Sequence, residues 1–293
     1  MNNIDKIVLT SSSEGNAPIL DSKHIIATKK VYDIKLVDCK EYCLVYLYHD
    51  RKVIKDNSID TTDLELKKSK IANFIDDEKT PKKKSNNLKH AIEERSIIRS
   101  KLACQRIAKA NINIWKTFIT LTFSENIIDL NYAKKRLKYF LDKVRRVKKD
   151  LKFLGIIEFQ KRGAVHYHIL TNIDINDTTL IYSQEDNSKF KHIKYWNDGF
   201  TNVKIIKGDV KKIIGYIAKY MTKNIDDRLF NHRRYFYSKN LDIPKENYID
   251  LTKENEKKFY NKKIQDKVLI YHSEYINPYD NTSVTFLEYK VRN

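Results

Sequence analysis

The sequence predicts an α+β fold in which helices flank an antiparallel sheet. Between Trp115 and Ser238, runs with an apolar residue at every second position alternate with runs of helical periodicity. Their order is strand, helix, strand, strand, strand, helix, strand. Regular strand–helix–strand spacing is missing, and only six glycines occur in the 293 residues, which disfavours the crossovers of a parallel sheet. We therefore expect an antiparallel sheet with its helices on one side.

Local patterns predict each element of this region. Gly163 can adopt the positive φ of a hairpin turn, so the runs on either side of Lys161-Arg162-Gly163 are expected to pair. Strands are predicted at 115–123, 152–160, 164–172, 200–206 and 233–238. Helices with an apolar stripe are predicted at 131–149 (Ala133, Leu137, Phe140, Leu141, Val144, Val147) and 210–224 (Val210, Ile213, Ile214, Ile217, Met221).

The segments on either side differ in pattern. Short β-branched runs at 23–37 and 42–48 predict strands, and a charged helical pattern follows, with a helix at about 88–111. The proline and lysine run at 79–87 favours a loop or linker. We divide the chain into a small strand-containing N-terminal extension (1–60), a basic helical segment (61–112), a central domain (113–240) and a C-terminal extension (241–293).

The charge of the chain indicates a polyanionic partner. Lys and Arg number 57 against 38 Asp and Glu, for a net charge of +19, so nucleic acid is the first partner to expect. Arg95, Arg99, Arg106 and Lys109 on the helix at 88–111 are candidate phosphate contacts, the alternative being a solvated face. No apolar run is long enough for a membrane span and no secretory signal is present, so we expect a cytoplasmic protein. Cys39, Cys43 and Cys104 receive no role.

A histidine pair marks a candidate metal site. His166 and His168 are two residues apart in a predicted strand, so both side chains leave the same face. Glu158 in the partner strand is the candidate third ligand, and an odd hairpin loop length would place it opposite His166. Gln160 would share that face as a weaker ligand or a hydrogen-bond donor. Nitrogen and oxygen ligands with open positions suit Mg²⁺ or Mn²⁺ acting on a phosphate.

The helix at 210–224 carries candidate nucleophiles. Opposite its apolar stripe lie two tyrosines among lysines, namely Lys212, Tyr216, Lys219, Tyr220 and Lys223. A free phenol has a pKa near 10, and neighbouring ammonium groups favour the nucleophilic phenolate. The alternative for such a pair is aromatic packing at the edge of a core.

Three motifs together resemble the HUH endonuclease superfamily, in particular the two-tyrosine rolling-circle replication initiators of small plasmids and single-stranded DNA phages. The segments are 118–123, similar to a structural strand of the family, 163–170, similar to its metal motif, and 216–223, similar to its nucleophile motif. The resemblance implies a five-stranded antiparallel sheet with the histidines on a central strand. It also implies a divalent metal, nicking of single-stranded or hairpin origin DNA, a 5′-phosphotyrosyl intermediate and a free 3′-hydroxyl.

The resemblance leaves roles open at several residues. Tyr216 and Tyr220 both precede a lysine by three positions, and we favour Tyr216 as the first nucleophile. Arg162 and Lys212 are further candidate DNA contacts beside these motifs. No phosphate-binding Gly-x-x-x-x-Gly-Lys-Ser/Thr sequence occurs, so unwinding and synthesis are expected from a host helicase and polymerase. The alternatives are a tyrosine transposase or relaxase with the same chemistry, and a non-catalytic basic DNA-binding protein.

Overall fold

The computed structural model describes residues 31–54, 82–183, 191–206, 214–215, 227–229, 233–278 and 280–292. In chain order the elements are β1 (Val31–Cys39), β2 (Tyr42–Val53), α1 (Lys82–Ala110), β3 (Thr117–Thr122), α2 (Leu130–Val147), β4 (Phe153–Phe159), β5 (Val165–Thr171), β6 (Ile181–Tyr182), β7 (His192–Ile193), β8 (Thr201–Ile205), β9 (Tyr235–Tyr237), β10 (Lys245–Ile249), α3 (Glu254–Ile264), β11 (Lys267–Ile276) and β12 (Ser283–Val291). Short 3-10 helices lie at Ile112–Ile114 and Asp227–Leu229. No helix in these ranges has the length and apolar character needed to cross a bilayer.

The predicted α+β class and five-stranded antiparallel sheet are confirmed. What we call the central sheet has the strand order β8-β3-β5-β4-β9, so β5 with the two histidines is its middle strand. All its pairings are antiparallel, and its five strands match the five predicted ones to within a few residues. The first predicted helix is α2. Asp129 caps it by accepting hydrogen bonds from the backbone N–H groups of Asn131 and Tyr132.

The prediction of helices on one side of this sheet is wrong, because both faces are covered. On the face that carries Tyr167, the apolar stripe of α2, including Leu137 and Phe140, packs against the strands. On the face that carries His168, Ile107 of α1 and Ile214 pack in one cluster with sheet residues such as Leu154. The physical reason is that all seven residues of β4 are buried, and a strand buried on both sides needs cover on both sides.

A second sheet joins the two ends of the chain. What we call the outer sheet has the order β10-β1-β2-β12-β11, and the pairing of Val45 with Leu287 shows how it links the N-terminal and C-terminal segments. Ile107 of α1 packs against one face and Tyr260 of α3 against the other. The two extensions that the sequence analysis kept separate therefore share one structure. Residues 1–30 of the N-terminal extension lie outside the described residues.

The start of α1 corrects the predicted linker. The helix begins at Lys82, so residues 82–87 are helical where the pattern favoured a loop. Lysine and asparagine have no steric bar to helical backbone angles, and Pro81 stands immediately before the first helical residue, where proline is tolerated. The like-charge run was therefore a poor signal for a break.

The cysteines lie in the interior. Cys39, Cys43 and Cys104 are free and buried. Burial raises the pKa of each thiol to about 12, because the thiolate would lose its hydration. They therefore remain neutral thiols at physiological pH and act as small apolar side chains of the core.

Gly199 lies at a close backbone approach beside the end of β3. Its φ is +154°, and a Cβ there would lie 2.3 Å from the backbone oxygen of Thr122. We expect Gly199→Ala to lower the free energy of unfolding by about 3 kcal/mol or more, because backbone atoms must move and the φ is strained. Denaturant melts would measure this.

Gly215 provides the matched control for that substitution. It is helical, and no atom lies within 4 Å of the position its Cβ would take. Gly215→Ala is therefore expected to stabilise the protein by about 0.5–1 kcal/mol through helix propensity. Equal effects of the two substitutions would contradict the close approach at Gly199.

Candidate metal centre

The turn between β4 and β5 decides which residues meet. Gly163 has a φ of +87°, and its N–H donates to the carbonyl of Gln160 at 2.7 Å. The N–H of Gln160 in turn donates to the carbonyl of Ala164 at 2.9 Å. This odd-length connection places Glu158 directly opposite His166, as the first of the two alternative registers required.

Three side chains converge on this face of the central sheet. Oε2 of Glu158 lies 2.7 Å from Nε2 of His168 and 3.9 Å from Nδ1 of His166. One ligand atom from each residue lies within 4.8 Å of the others. Glu158 and His168 are buried, with 7% and 4% exposure, whereas His166 is partly exposed. The group is therefore open toward solvent on the His166 side.

The donor set fits a divalent cation. A buried carboxylate is costly without a compensating positive charge, and Glu158 has two imidazoles beside it. Two neutral nitrogens and one anionic oxygen form a mixed set that leaves coordination positions open for water or substrate. Glu158, His166 and His168 would hold the ion, while the identity of the metal, predicted as Mg²⁺ or Mn²⁺, stays a prediction.

Two threonines of β3 orient the histidines. Oγ1 of Thr120 lies 3.2 Å from Nδ1 of His168, and Oγ1 of Thr122 contacts Nε2 of His166. Phe118 stacks on the ring of His168 with centroids 5.6 Å apart. A hydroxyl that accepts from Nδ1–H of His168 leaves the lone pair of Nε2 on the side of Glu158.

The sequence analysis placed these threonines on one side of a strand but gave them no role. The signal was their alternation at the same period as the two histidines, since β3 pairs with β5 and sets Thr120 opposite His168 and Thr122 opposite His166. Recognising it required knowing which strand neighbours β5.

Thr120→Val tests the orienting role. The substitution keeps the β-branched shape and removes the hydroxyl, so we expect affinity for Mn²⁺ to fall about 10- to 100-fold with little change in melting temperature. Isothermal titration calorimetry would measure the affinity. Thr178→Val, at an exposed position away from the histidines, is the control. Unchanged affinity in Thr120→Val would contradict the role.

Gln160 and two arginines brace the open side of the site. Nε2 of Gln160 lies 3.5 Å from Nε2 of His166, and Arg162 donates to Oε1 of Gln160 at 3.0 Å and to the carbonyl of Phe123 at 3.1 Å. Arg228 donates to the carbonyl of Gly163 at 2.8 Å and was not singled out from sequence. The exposed Arg162 thus holds the hairpin turn, and its predicted contact with DNA stays a prediction.

Residues 116–225 match a family model described as replication-associated protein, of the ORF2 type. The matched region covers less than half of the chain and runs from β3 through β8, so it contains Glu158, His166 and His168, together with Tyr216 and Tyr220. It excludes the outer sheet and β9. No curated protein and no solved structure matches the chain significantly.

The candidate nucleophiles fall in the matched region but outside the described residues; these are Tyr216, Lys219, Tyr220 and Lys223, and the same holds for Lys212. Ile214 and Gly215, which directly precede Tyr216 in sequence, are helical. Ile214 is 2% exposed and packs in the cluster that covers the His168 face of the central sheet. It belongs to the apolar stripe predicted for the helix at 210–224.

The basic residues of α1, which precede the matched region, divide into two groups. Arg95 and Arg99 are exposed, so both are accessible to a polyanion. Arg106 instead pairs with Glu246 at 2.8 Å and Lys109 with Glu288 at 2.7 Å, with side chains only 15% and 17% exposed. These two pairs attach α1 to the outer sheet. Phosphate contact by the four residues stays a prediction, and this placement favours Arg95 and Arg99.

Proposed function

We propose that this chain initiates replication by nicking single-stranded origin DNA through tyrosine attack, in the manner of HUH endonucleases. The observation that carries the proposal is the convergence of Glu158, His166 and His168 on the middle of the central sheet. Support comes from the match of residues 116–225 to the replication-associated protein model. The net charge of +19 suits a DNA substrate.

The three ligands define where the scissile phosphate would bind. A divalent cation, Mg²⁺ or Mn²⁺, would polarise a phosphoryl oxygen of the DNA and neutralise charge that develops on it. Glu158 and His168 are buried and are held by neighbouring strands, which keeps them preorganised. His166, on the open side, faces the route by which a strand would approach.

Tyr216 is the proposed first nucleophile and Tyr220 the second. The phenolic oxygen forms a bond to phosphorus as the bond from phosphorus to the 3′-oxygen breaks. The phenol releases its proton and the departing 3′-oxygen takes one up, which leaves a free 3′-hydroxyl and a 5′-phosphotyrosyl linkage. Lys219 and Lys223 would favour the phenolate and stabilise charge on the phosphate. Because the linkage retains an activated phosphate, the reverse reaction can rejoin strands.

A covalent adduct assay tests this function. Full-length protein would be incubated with Mn²⁺ and single-stranded fragments that tile the parent replicon, labelled at either end. We expect a band that survives SDS and carries the 3′ label, since the downstream fragment stays attached to tyrosine. Tight, salt-sensitive binding without an adduct on any fragment would overturn the proposal in favour of a non-catalytic binder.

A further inference from the structure

A cleft lies between α2 and the edge strand β9, away from the metal centre. It has a volume of about 520 Å³, which falls within the range of about 300–1,000 Å³ common for small-ligand pockets. Its residues come from α2, from β4 and from β9 with its flanks. They are Lys134, Leu137, Lys138, Leu141, Arg145, Phe153, Ile157, Arg233, Tyr235, Phe236, Tyr237 and Lys239.

The rim of the cleft is strongly cationic. Five of the lining residues are lysine or arginine and none is acidic. Lys138 and Arg145 on α2 and Lys239 beyond β9 are exposed, so their charges lie at the surface on both sides of the opening. Arg145 also approaches Asp142 at 3.2 Å, but both side chains are 45% exposed, and such a pair contributes little. An anionic ligand is therefore the expected occupant.

The floor of the cleft is aromatic and held in place. The ring of Phe236 lies against the backbone at Gly155, where an added Cβ would fall 2.3 Å from its Cζ. Phe236 also packs edge-on against Tyr167 at 5.9 Å and lies 6.1 Å from Phe153. Rigid aromatic rings beneath a cationic rim suit a nucleic acid strand, whose bases stack while its phosphates meet lysine and arginine.

The cleft and the metal centre lie on opposite faces of the central sheet. Phe153 and Ile157 of β4 alternate with Ile156 and Glu158, so the first pair faces α2 and the second faces the histidines. Phe236 pairs with Gly155 and packs on the α2 side. Nucleotides in the cleft would thus differ from those at the scissile phosphate.

We propose that this cleft is a second binding site for single-stranded DNA, which takes a short segment of the strand outside the cleavage centre. The proposal extends the proposed nicking function but does not rest on it, because binding here needs neither the metal ligands nor the tyrosines. Its volume admits a short stretch of strand rather than a duplex. An acidic peptide would use the rim but not the aromatic floor.

Charge removal at the rim tests the site. The affinity of the full-length protein for fluorescein-labelled oligothymidylate of about 12 nucleotides would be measured by anisotropy in EDTA over a salt series. For the triple variant K138Q/R145Q/K239Q we expect at least about 10-fold weaker binding and a salt slope smaller by about 2, from three phosphate contacts at about 0.7 each. The control K135Q/R146Q/K149Q removes the same charge from exposed positions of α2 and the residues that follow it, outside the cleft, and should change the slope by less than about 1.

Crosslinking locates the bound strand independently. An oligonucleotide of the same length that carries 5-iodouracil should crosslink to a peptide containing Tyr235, Phe236 and Tyr237. Equal losses of affinity in the two triple variants, or crosslinks confined to other peptides, would overturn the site. Equal displacement of the DNA by polyglutamate and by unlabelled oligothymidylate at matched charge would instead indicate a site for acidic polymers and would also overturn it.

Discussion

The double substitution Tyr216→Phe and Tyr220→Phe should abolish the covalent protein–DNA adduct while leaving affinity for single-stranded DNA nearly unchanged. Only the two phenolic oxygens are removed, so the attacking atom is lost while the aromatic rings remain. Loss of a nucleophile commonly lowers the rate by several orders of magnitude, and we expect a decrease of at least about 10³-fold. Adduct formation on SDS gels and anisotropy of labelled DNA would be measured side by side.

Tyr271 and Tyr275 provide a matched control for that experiment. They are also four positions apart, lie on β11 outside the matched region and are 54% and 43% exposed. Their double substitution to phenylalanine should leave the adduct intact. Undiminished adduct in the Tyr216/Tyr220 variant would show that neither phenol attacks the phosphate, and the nicking proposal in its tyrosine form would fail.

His168→Ala should remove metal-dependent cleavage, with a decrease of at least about 100-fold in the presence of Mn²⁺. The imidazole lost is the one whose Nε2 lies 2.7 Å from Glu158, so one nitrogen ligand disappears and the buried carboxylate loses its partner. Calorimetry should show weaker Mn²⁺ binding, and EDTA should bring the wild-type protein down to the level of the variant.

His272→Ala is the control for metal dependence. This histidine lies on β11 in the outer sheet and its side chain is 52% exposed, so both cleavage and Mn²⁺ affinity should be unchanged. Glu158→Gln keeps the size of the third ligand while removing its charge, and should weaken Mn²⁺ binding as well. Equal cleavage by wild type and His168→Ala with and without EDTA would contradict a metal-assisted reaction.

The outer sheet shows the limit of local sequence patterns. Its strands β1 and β2 follow from short β-branched runs, but β10, β11, β12 and α3 were not predicted. Nearly all of β11 is exposed, so no alternation of apolar and polar residues marks it as a strand. Its partner β12 pairs in turn with β2 from the opposite end of the chain, and such a contact has no local signature.

The basic residues of α1 illustrate the same limit for a binding surface. Arg95, Arg99, Arg106 and Lys109 have similar sequence surroundings and were predicted together as phosphate contacts. The outer sheet supplies Glu246 and Glu288 to the last two, because these carboxylates come from strands far along the chain. Charge alone could not separate residues that hold the fold together from those that remain exposed to a ligand.

The sequence alone determined the central strands and the shared direction of His166 and His168, because side-chain alternation in a strand has a period of two and needs no knowledge of neighbours. It also determined the turn at Gly163, where the positive φ favours glycine. Only the tertiary structure decided that Glu158 rather than a flipped register faces the histidines, that Thr120 and Thr122 orient them, and that helices cover both faces. Those outcomes depend on which strands become neighbours, and strand order is set by packing across the whole chain.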